Sequence, residues 1–538
     1  MAKGVSAAQA AAMVPDGATV LVDGSGGGVN EPDLVLAALE ARFLDERHPA
    51  RLTVVHPSGM GDGEGGGIDR FAHEGMVTRA IGGHWSWCPG MQRLATSGAI
   101  EAYCLPQGVL SHLFRAIAGG KPGVVTHVGL GTFVDPRIDG GRLNDRSREA
   151  LVELVSLRGR DYLFYPSFAI DVAIIRGSTA DELGNVSMEA EGLYAETLSA
   201  AQAARNSGGV VIAQVRRVVP TGSLDPRSVK VPGVLVDAVV VHPGQRLSSM
   251  TADDPTLYGA ARVEPAAVAP LPLDARKVIA RRAACELREG DVANLGYGMP
   301  DGVATVLAEE GCSEAVIFTL EQGHISGIPA TGADFGMARN QLAMIDAGYQ
   351  FDWYDGGGLD VAILSFAQVD PAGNVNVSKF GGRIAGIGGF VNISQGARRV
   401  VFVGTLKAGA QRVALGEHGI RIEQEAPTAK FVRVVEQISF GADFARTRRM
   451  PVHYVTERAV FALGEKGLVL IEVAPGLDLE RDVLGQMAFR PEVSPRLATM
   501  NPALFRAGPM DLRLRPATPR GAAGARALAA SVINADAT

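Results

Sequence analysis

The sequence predicts an α/β fold, and three observations carry that prediction. Short, nearly continuous apolar runs alternate with amphipathic stretches, as parallel strands buried on both faces alternate with the helices that cover them. Glycine supplies 67 of the 538 residues, well above the usual ~7%, and it clusters where those runs end. One half of the chain also repeats a stretch of the other. Residues 171–186, DVAIIRGSTADELGNV, lie on residues 360–375, DVAILSFAQVDPAGNV, without a gap, and eight of sixteen positions are identical, where chance gives about one.

In chain order, the first half offers the strands TVLVDG, LTVVHP, VVTHVG, DVAIIRG, VVIAQV and LVDAVVVH, with helices over residues 32–44 and 109–118. The second half offers AVIFTL, DVAILSF, RRVVFVG, FVRVVEQI and LVLIEV. A weaker correspondence joins GATVLVDGSGGGVNEPD near the start to GDVANLGYGMPD at residues 290–301; both read as strand, glycine-rich turn, helix start. The chain is too long for one core, since domains usually hold about 50–250 residues. The expected division is a domain over 1–241, a linker over 242–275 with five prolines and no periodicity, a second domain over 276–515, and a loosely held alanine-rich tail over 516–538.

Composition narrows the function classes. A hydrophobic content of 47% with 20% charged residues is globular, and a net charge of -7 argues against nucleic acid or an anionic membrane surface as partner. Cys88, Cys104, Cys285 and Cys312 form no C-x-x-C pair, so neither a disulfide framework nor a zinc site is indicated. The N-terminal stretch lacks a signal-peptide core, and no run reaches the ~18 apolar residues of a membrane span. The expectation is a soluble, cytoplasmic protein.

Gly24, Gly26, Gly27 and Gly28 follow a strand and precede a helix near Pro32, but the G-x-G-x-x-G spacing of a dinucleotide loop is not met because Val29 interrupts it. A nicotinamide-dependent oxidoreductase is therefore the weakest reading. Gly296, Gly298 and Pro300 form a matching loop in the second half, followed by Gly381, Gly382, Gly386, Gly388 and Gly389. Such loops bring backbone N–H groups close to an anion, or simply make tight turns between buried strands.

In FTLEQGHISGIPATG, residues 318–332, the carboxylate Glu321 ends an apolar strand and opens a glycine-rich loop. Groups at the carboxyl ends of strands line the ligand crevice of open α/β sheets; an acid there can equally be a solvated turn residue. Cys104 is a second candidate nucleophile, with packing as its alternative, and His324 has no assigned role. His84 and Cys88 lack further ligands for a metal. Metalloprotease, nucleophile-elbow, Walker and kinase signatures are absent.

Five segments together carry a resemblance. TLEQGHISGIP resembles the glutamate motif of the family I coenzyme A transferases. AYCLPQGVLSHLFRAIAGG with VTHVGLGTFVDPR resembles the family's first-domain glutamine segment, and NLGYGMPDGVA and GGRIAGIGGF resemble its second-domain loops. They follow the family's order from about residue 6 to about residue 489, and GLGTFVDPR is most similar to the propionate and acetate branch. The resemblance implies two related open α/β domains with the active site in the cleft between them. It implies Glu321 as nucleophile, Gln107 as oxyanion donor, and a second donor among the backbone N–H groups near Gly388 or Gly389. Coenzyme A would lie near Gly296, Tyr297, Gly298 and Gly386, with Lys407 meeting a phosphate. CoA is then a substrate, no cofactor is held tightly, and the partners are acyl-CoA, short-chain carboxylates such as acetate or propionate, and further copies of the chain, a tetramer by resemblance. An acyl-CoA hydrolase using the same glutamate and a non-catalytic ligand-binding protein are the alternatives.

Overall fold

The computed structural model describes residues 3–264 and 270–516. Its strands build two ten-stranded sheets. The path of the first runs Gly4–Val5, Ala238–Val241, Val210–Val219, Val172–Asp181, Thr19–Val22, Leu52–His56, Val77–Gly82 and Glu101–Cys104, every neighbouring pair parallel. In the second, Ile317–Leu320, Val292–Leu295, Val361–Ser365, Val400–Val403 and Val452–Val455 form a parallel centre. Antiparallel strands flank it, among them His324–Ile325 on one side and Ala459–Leu463 on the other. The chain is thus two related α/β sheets, as the sequence predicts.

The repeat survives at the level of register. Ile174 sits opposite Val22 on one side and Ile212 on the other; its counterpart Ile363 sits opposite Leu295 and Val401. All ten residues of Val172–Asp181 are buried, which is why its first four residues, VAII, are apolar without alternation, while Arg176, Ser178, Thr179 and Asp181 are buried polar groups farther along. Each repeat ends in the same turn. The Asp181 carboxylate accepts the Asn185 N–H and the Asn185 side-chain amide, and Asp370 does the same for Asn374. Gly184 and Gly373 take φ of +84° and +91°, the left-handed region that glycine enters without strain.

The helix Gln107–Ala118 starts two residues before the apolar pattern does. Val109, Leu110, Leu113, Phe114 and Ile117 form its buried face, each contributing about 1.5–3 kcal/mol relative to exposure. Gly119 and Gly120 end it.

Two expected strands are not where the apolar pattern puts them. The VVTHVG segment contributes only Gly123–Thr126, and to a separate three-stranded antiparallel sheet with Glu153–Leu157 and Arg160–Pro166. FVRVVEQI forms no strand. It is a loop whose backbone reaches single partners, Val432 N–H to the Val369 carbonyl and the Ile438 carbonyl to the Phe133 N–H, while Val434 is 77% exposed. Valine content imitates a strand, but beyond a single bridge from Phe431 to Val369 no ladder forms among the described residues.

The crossing segment is packed on both halves. Leu247 and Leu257 are buried with Val29, Leu193, Ala330 and Met337, and the Ser248 and Thr251 hydroxyls both donate to Asp334. The stretch read as a loose tail lies, from residue 517 onward, outside the described residues. No helix among the described residues is long and apolar enough to cross a membrane.

Candidate active site

Glu321 follows directly on the strand Ile317–Leu320, and the chain turns at once, the Gly323 N–H donating to the Leu320 carbonyl at 3.0 Å. Only glycine fits the corner. Gly323 has φ +113°, and a Cβ there would stand 1.9 Å from the Ile345 carbonyl oxygen. The turn aims Glu321 into a cavity of about 350 Å³ walled by both halves of the chain: Ser25, Ser58, His84 and Gln107 from the first, Tyr297, Phe366 and the 385–389 loop from the second.

Glu321 is 9% exposed, and its Oε2 has no hydrogen-bond partner among the described residues. Oε1 has one long contact, 3.4 Å from Gln322 Nε2. Burial pushes the carboxyl above the usual range, while the Asn294 and Gln322 amides beside it pull the other way. Among the described residues it is the single acidic or basic side chain lining the cavity apart from His84, whose imidazole burial holds neutral, down to about 4.

Beneath Glu321 the sheet turns polar. Asn294 Nδ2 donates to the Thr319 carbonyl at 3.1 Å, and Tyr354 OH donates to Thr319 Oγ1 at 2.7 Å. These groups tie the strand that ends at Glu321 to its neighbour and to the helix Ala347–Asp355. They hold the approach to Glu321 rigid, which is what a carboxylate needs if it is to attack along one line.

The opposite wall is a seam between the halves. The 385–388 loop pairs with residues 83–85: Trp85 N–H donates to the Ala385 carbonyl, and the Ile387 and Gly388 N–H groups both reach the Gly83 carbonyl. Gln107 N–H donates to the Gly388 carbonyl at 2.9 Å. The Gln107 side chain is buried and makes no hydrogen bond to the described residues, so its amide is free for a ligand. Gly388 carries φ +51°, and its N–H is engaged by Gly83, whereas the Gly389 N–H meets no backbone acceptor among the described residues.

The structure therefore brings Glu321, Gln107, Gly296, Tyr297, Gly386, Gly388 and Gly389 to one cavity. Gly298 lies just beyond the wall, at the start of the turn Met299–Asp301. Lys407 is not among the wall residues: its ammonium is 2.9 Å from Gln486 Oε1 and 3.9 Å from Glu425. A different cation stands nearer. Lys430 Nζ lies 4.3 Å from the centroid of the Phe366 ring, a wall residue, and burial lowers its pKa to about 8. Nothing around it in PTAKF marks it in the sequence.

Aromatic side chains rim the cavity. Tyr297, half exposed, meets Phe335 edge-on at 4.9 Å and Trp87 at 6.3 Å. The HWSWC segment reads in the sequence only as a failed metal motif; of its two tryptophans, Trp87 lines the cavity and Trp85 is buried behind it. Cys104 is ruled out as nucleophile, its buried thiol pushed up to about 12 and donating to the Gly83 carbonyl. His324 is buried, with Nε2 2.8 Å from the Gly192 carbonyl oxygen across the seam.

Comparison with known proteins gives the family. Residues 5–242 match the family model for coenzyme A transferase. The chain is 43% identical to acetate CoA-transferase YdiF of Escherichia coli K12 over 511 residues, 93% of this chain and 94% of that one. It is 45% identical to caffeate CoA-transferase of Acetobacterium woodii, over 94% of this chain and 98% of that protein. The crystal structure of the acyl-CoA transferase YdiF from E. coli O157:H7, as a thioester complex with CoA, superposes with a TM-score of 0.92 at 42% identity, covering 96% of this chain and 98% of that one.

Proposed function

The chain belongs to the coenzyme A transferase family and is a CoA-transferase, and from that premise we propose that Glu321 carries CoA covalently between an acyl-CoA donor and a short-chain carboxylate acceptor. The observation that carries this reading is the buried Glu321 carboxylate, with one oxygen unpartnered, facing a cavity shared by both halves.

Glu321 attacks the donor's thioester carbonyl, and the thioester bond breaks to give an acyl-glutamyl anhydride and CoA thiolate. The thiolate attacks the glutamyl carbonyl, releasing the donor's carboxylate and leaving a glutamyl-CoA thioester; the acceptor carboxylate then runs the two steps in reverse. Each attack places negative charge on a carbonyl oxygen. The free Gln107 amide is the donor for one such oxyanion and the Gly389 N–H for another, a narrower choice than the Gly388–Gly389 pair, since Gly388 already serves Gly83.

CoA binds along the second-half wall past Gly296, Tyr297, Gly298 and Gly386. For its phosphates Lys430 is better supported than Lys407, because its ammonium lies against the ring of a cavity-wall residue, Phe366, whereas that of Lys407 is turned to Gln486 and Glu425. Binding energy from this long tail orients the reacting carbonyl.

Initial rates with acetate, propionate, butyrate and lactate as acceptors test the reading. Parallel double-reciprocal lines are expected, since the first product leaves before the acceptor binds. Intersecting lines contradict the covalent carrier. Steady CoA release with no acceptor present supports the hydrolase instead.

A further inference from the structure

We propose that Asn392 is a positioning residue for catalysis, acting across the seam between the two halves by capping the helix that carries Gln107. The inference rests on the reading of Gln107 as an oxyanion donor and extends it to the device that aims Gln107.

A helix leaves its first N–H groups without intrahelical partners. In Gln107–Ala118 the residue ahead of the helix is Pro106, which offers no capping side chain. Both leading N–H groups are instead satisfied by the other half of the chain: Gln107 N–H by the Gly388 carbonyl, and Gly108 N–H by Asn392 Oδ1 at 3.2 Å. Asn392 is fully buried on the helix Phe390–Gly396, which opens right after Gly388 and Gly389. One short element thus presents the second oxyanion donor at its start and the cap for the first donor's helix one turn later.

The orientation of the Asn392 amide is fixed by its neighbours. Nδ2 lies 3.0 Å from both oxygens of the partly buried Asp355, which accept, so Oδ1 must face the Gly108 N–H, which donates. Asp355 is itself approached by His112, on the same helix as Gln107, with Nδ1 at 3.8 Å; His112 Nε2 stands 3.0 Å from Asp352. The loop from Asp355 through Asn392 to Gly108 and back through His112 closes on the helix at two points. Gly108 permits the close approach: a Cβ there would stand 2.5 Å from both Asn392 Nδ2 and the Phe351 ring.

Removing the cap leaves a buried N–H unpaired and frees the helix start to shift. A misplacement of about 1 Å at a reacting group typically costs about 100-fold in rate. A positioning role makes a prediction that a merely structural cap does not. If Asn392 acts through Gln107, its loss must cost nothing once Gln107 is gone.

The test is a double-mutant cycle of Asn392→Ala and Gln107→Ala, reading the single-turnover rate of enzyme-CoA formation with an acyl-CoA, with thermal melting to confirm folding. The expected result is a loss of roughly 10- to 100-fold for Asn392→Ala with the acyl-CoA KM unchanged, and a double variant no slower than Gln107→Ala alone. Multiplying losses, or a full rate in Asn392→Ala, overturn the proposal. If Asn392→Ala does not fold, Asp355→Asn takes its place in the cycle. That variant leaves a single acceptor for Nδ2 and should give a smaller loss with the same non-additivity. A full rate in Gln107→Ala fails the oxyanion reading itself, a separate outcome from an additive cycle.

Discussion

The two sheets share a frame and differ at one corner. Following the register through both, Leu21 and Val55 of the first sheet occupy the places of Asn294 and Thr319 in the second, and Pro57 occupies the place of Glu321. The first corner, His56-Pro57-Ser58, rests on apolar strands. Its buried Ser25 and Ser58 hydroxyls bond only to each other, at 3.2 Å. The second carries an acid above a polar layer of Asn294, Thr319 and Tyr354, with Glu321 Oε2 and Asn294 Oδ1 left unpartnered. Buried polar groups without partners cost stability. The first corner keeps one such atom as well, His56 Nε2, so what sets the second apart is the acid and the polar layer beneath it; in the proposed reading the first half contributes the facing wall and the amide of Gln107.

The comparison is broken most directly at its acid. Glu321→Ala should lower kcat by on the order of 10⁴-fold or more, the scale seen when a covalent nucleophile is removed; a variant that keeps measurable turnover in the acceptor assay moves the chemistry elsewhere. Next in size is Gln107→Ala, with an expected loss of about 100- to 1,000-fold in kcat and little change in KM for the acyl-CoA.

The pH dependence follows from the raised Glu321 carboxyl. Only the anion attacks, so kcat/KM should fall on the acid side with a midpoint above the ordinary glutamate value of about 4.3. Stability runs the other way. A carboxyl that holds its proton more tightly when folded contributes stability that is complete below the unfolded value and is lost as pH rises through the folded one. Glu321→Gln should therefore melt higher than the parent at about pH 8, with the gap closing towards about pH 4. An unchanged or lower melting temperature at the higher pH means the site holds the charge without penalty. The smallest effect is expected at the matching corner of the first sheet, where Ser58→Ala should change kcat by less than about tenfold. A loss comparable to that at Glu321 would erase the asymmetry.

The sequence carried the frame further than the corner. The DVAI…GNV repeat was legible because both copies are central, buried on two faces and closed by the same Asp-Gly-Asn turn. Glu321 stood out because a lone charge ended an apolar run. What remained hidden depends on distances between segments far apart in the chain. Asn392 looks like any polar residue in GFVNIS until Gly108 is seen beside it, 284 positions away. Lys407 and Lys430 are indistinguishable as letters, and only the structure shows Gln486 and Glu425 against one and the Phe366 ring against the other. FVRVVEQI failed for the converse reason: strand-like composition does not supply a neighbouring strand.

The central claim is that Glu321 holds CoA covalently. The protein is incubated with an acyl-CoA in the absence of acceptor, and one portion is digested directly for peptide mass mapping while another is first reduced with borohydride. The account predicts a CoA adduct on the peptide bearing Glu321, conversion of that side chain to the alcohol by borohydride, and loss of both when acetate is added before the quench. An adduct or a reduced side chain at any other residue, or neither in enzyme that is turning over, contradicts it.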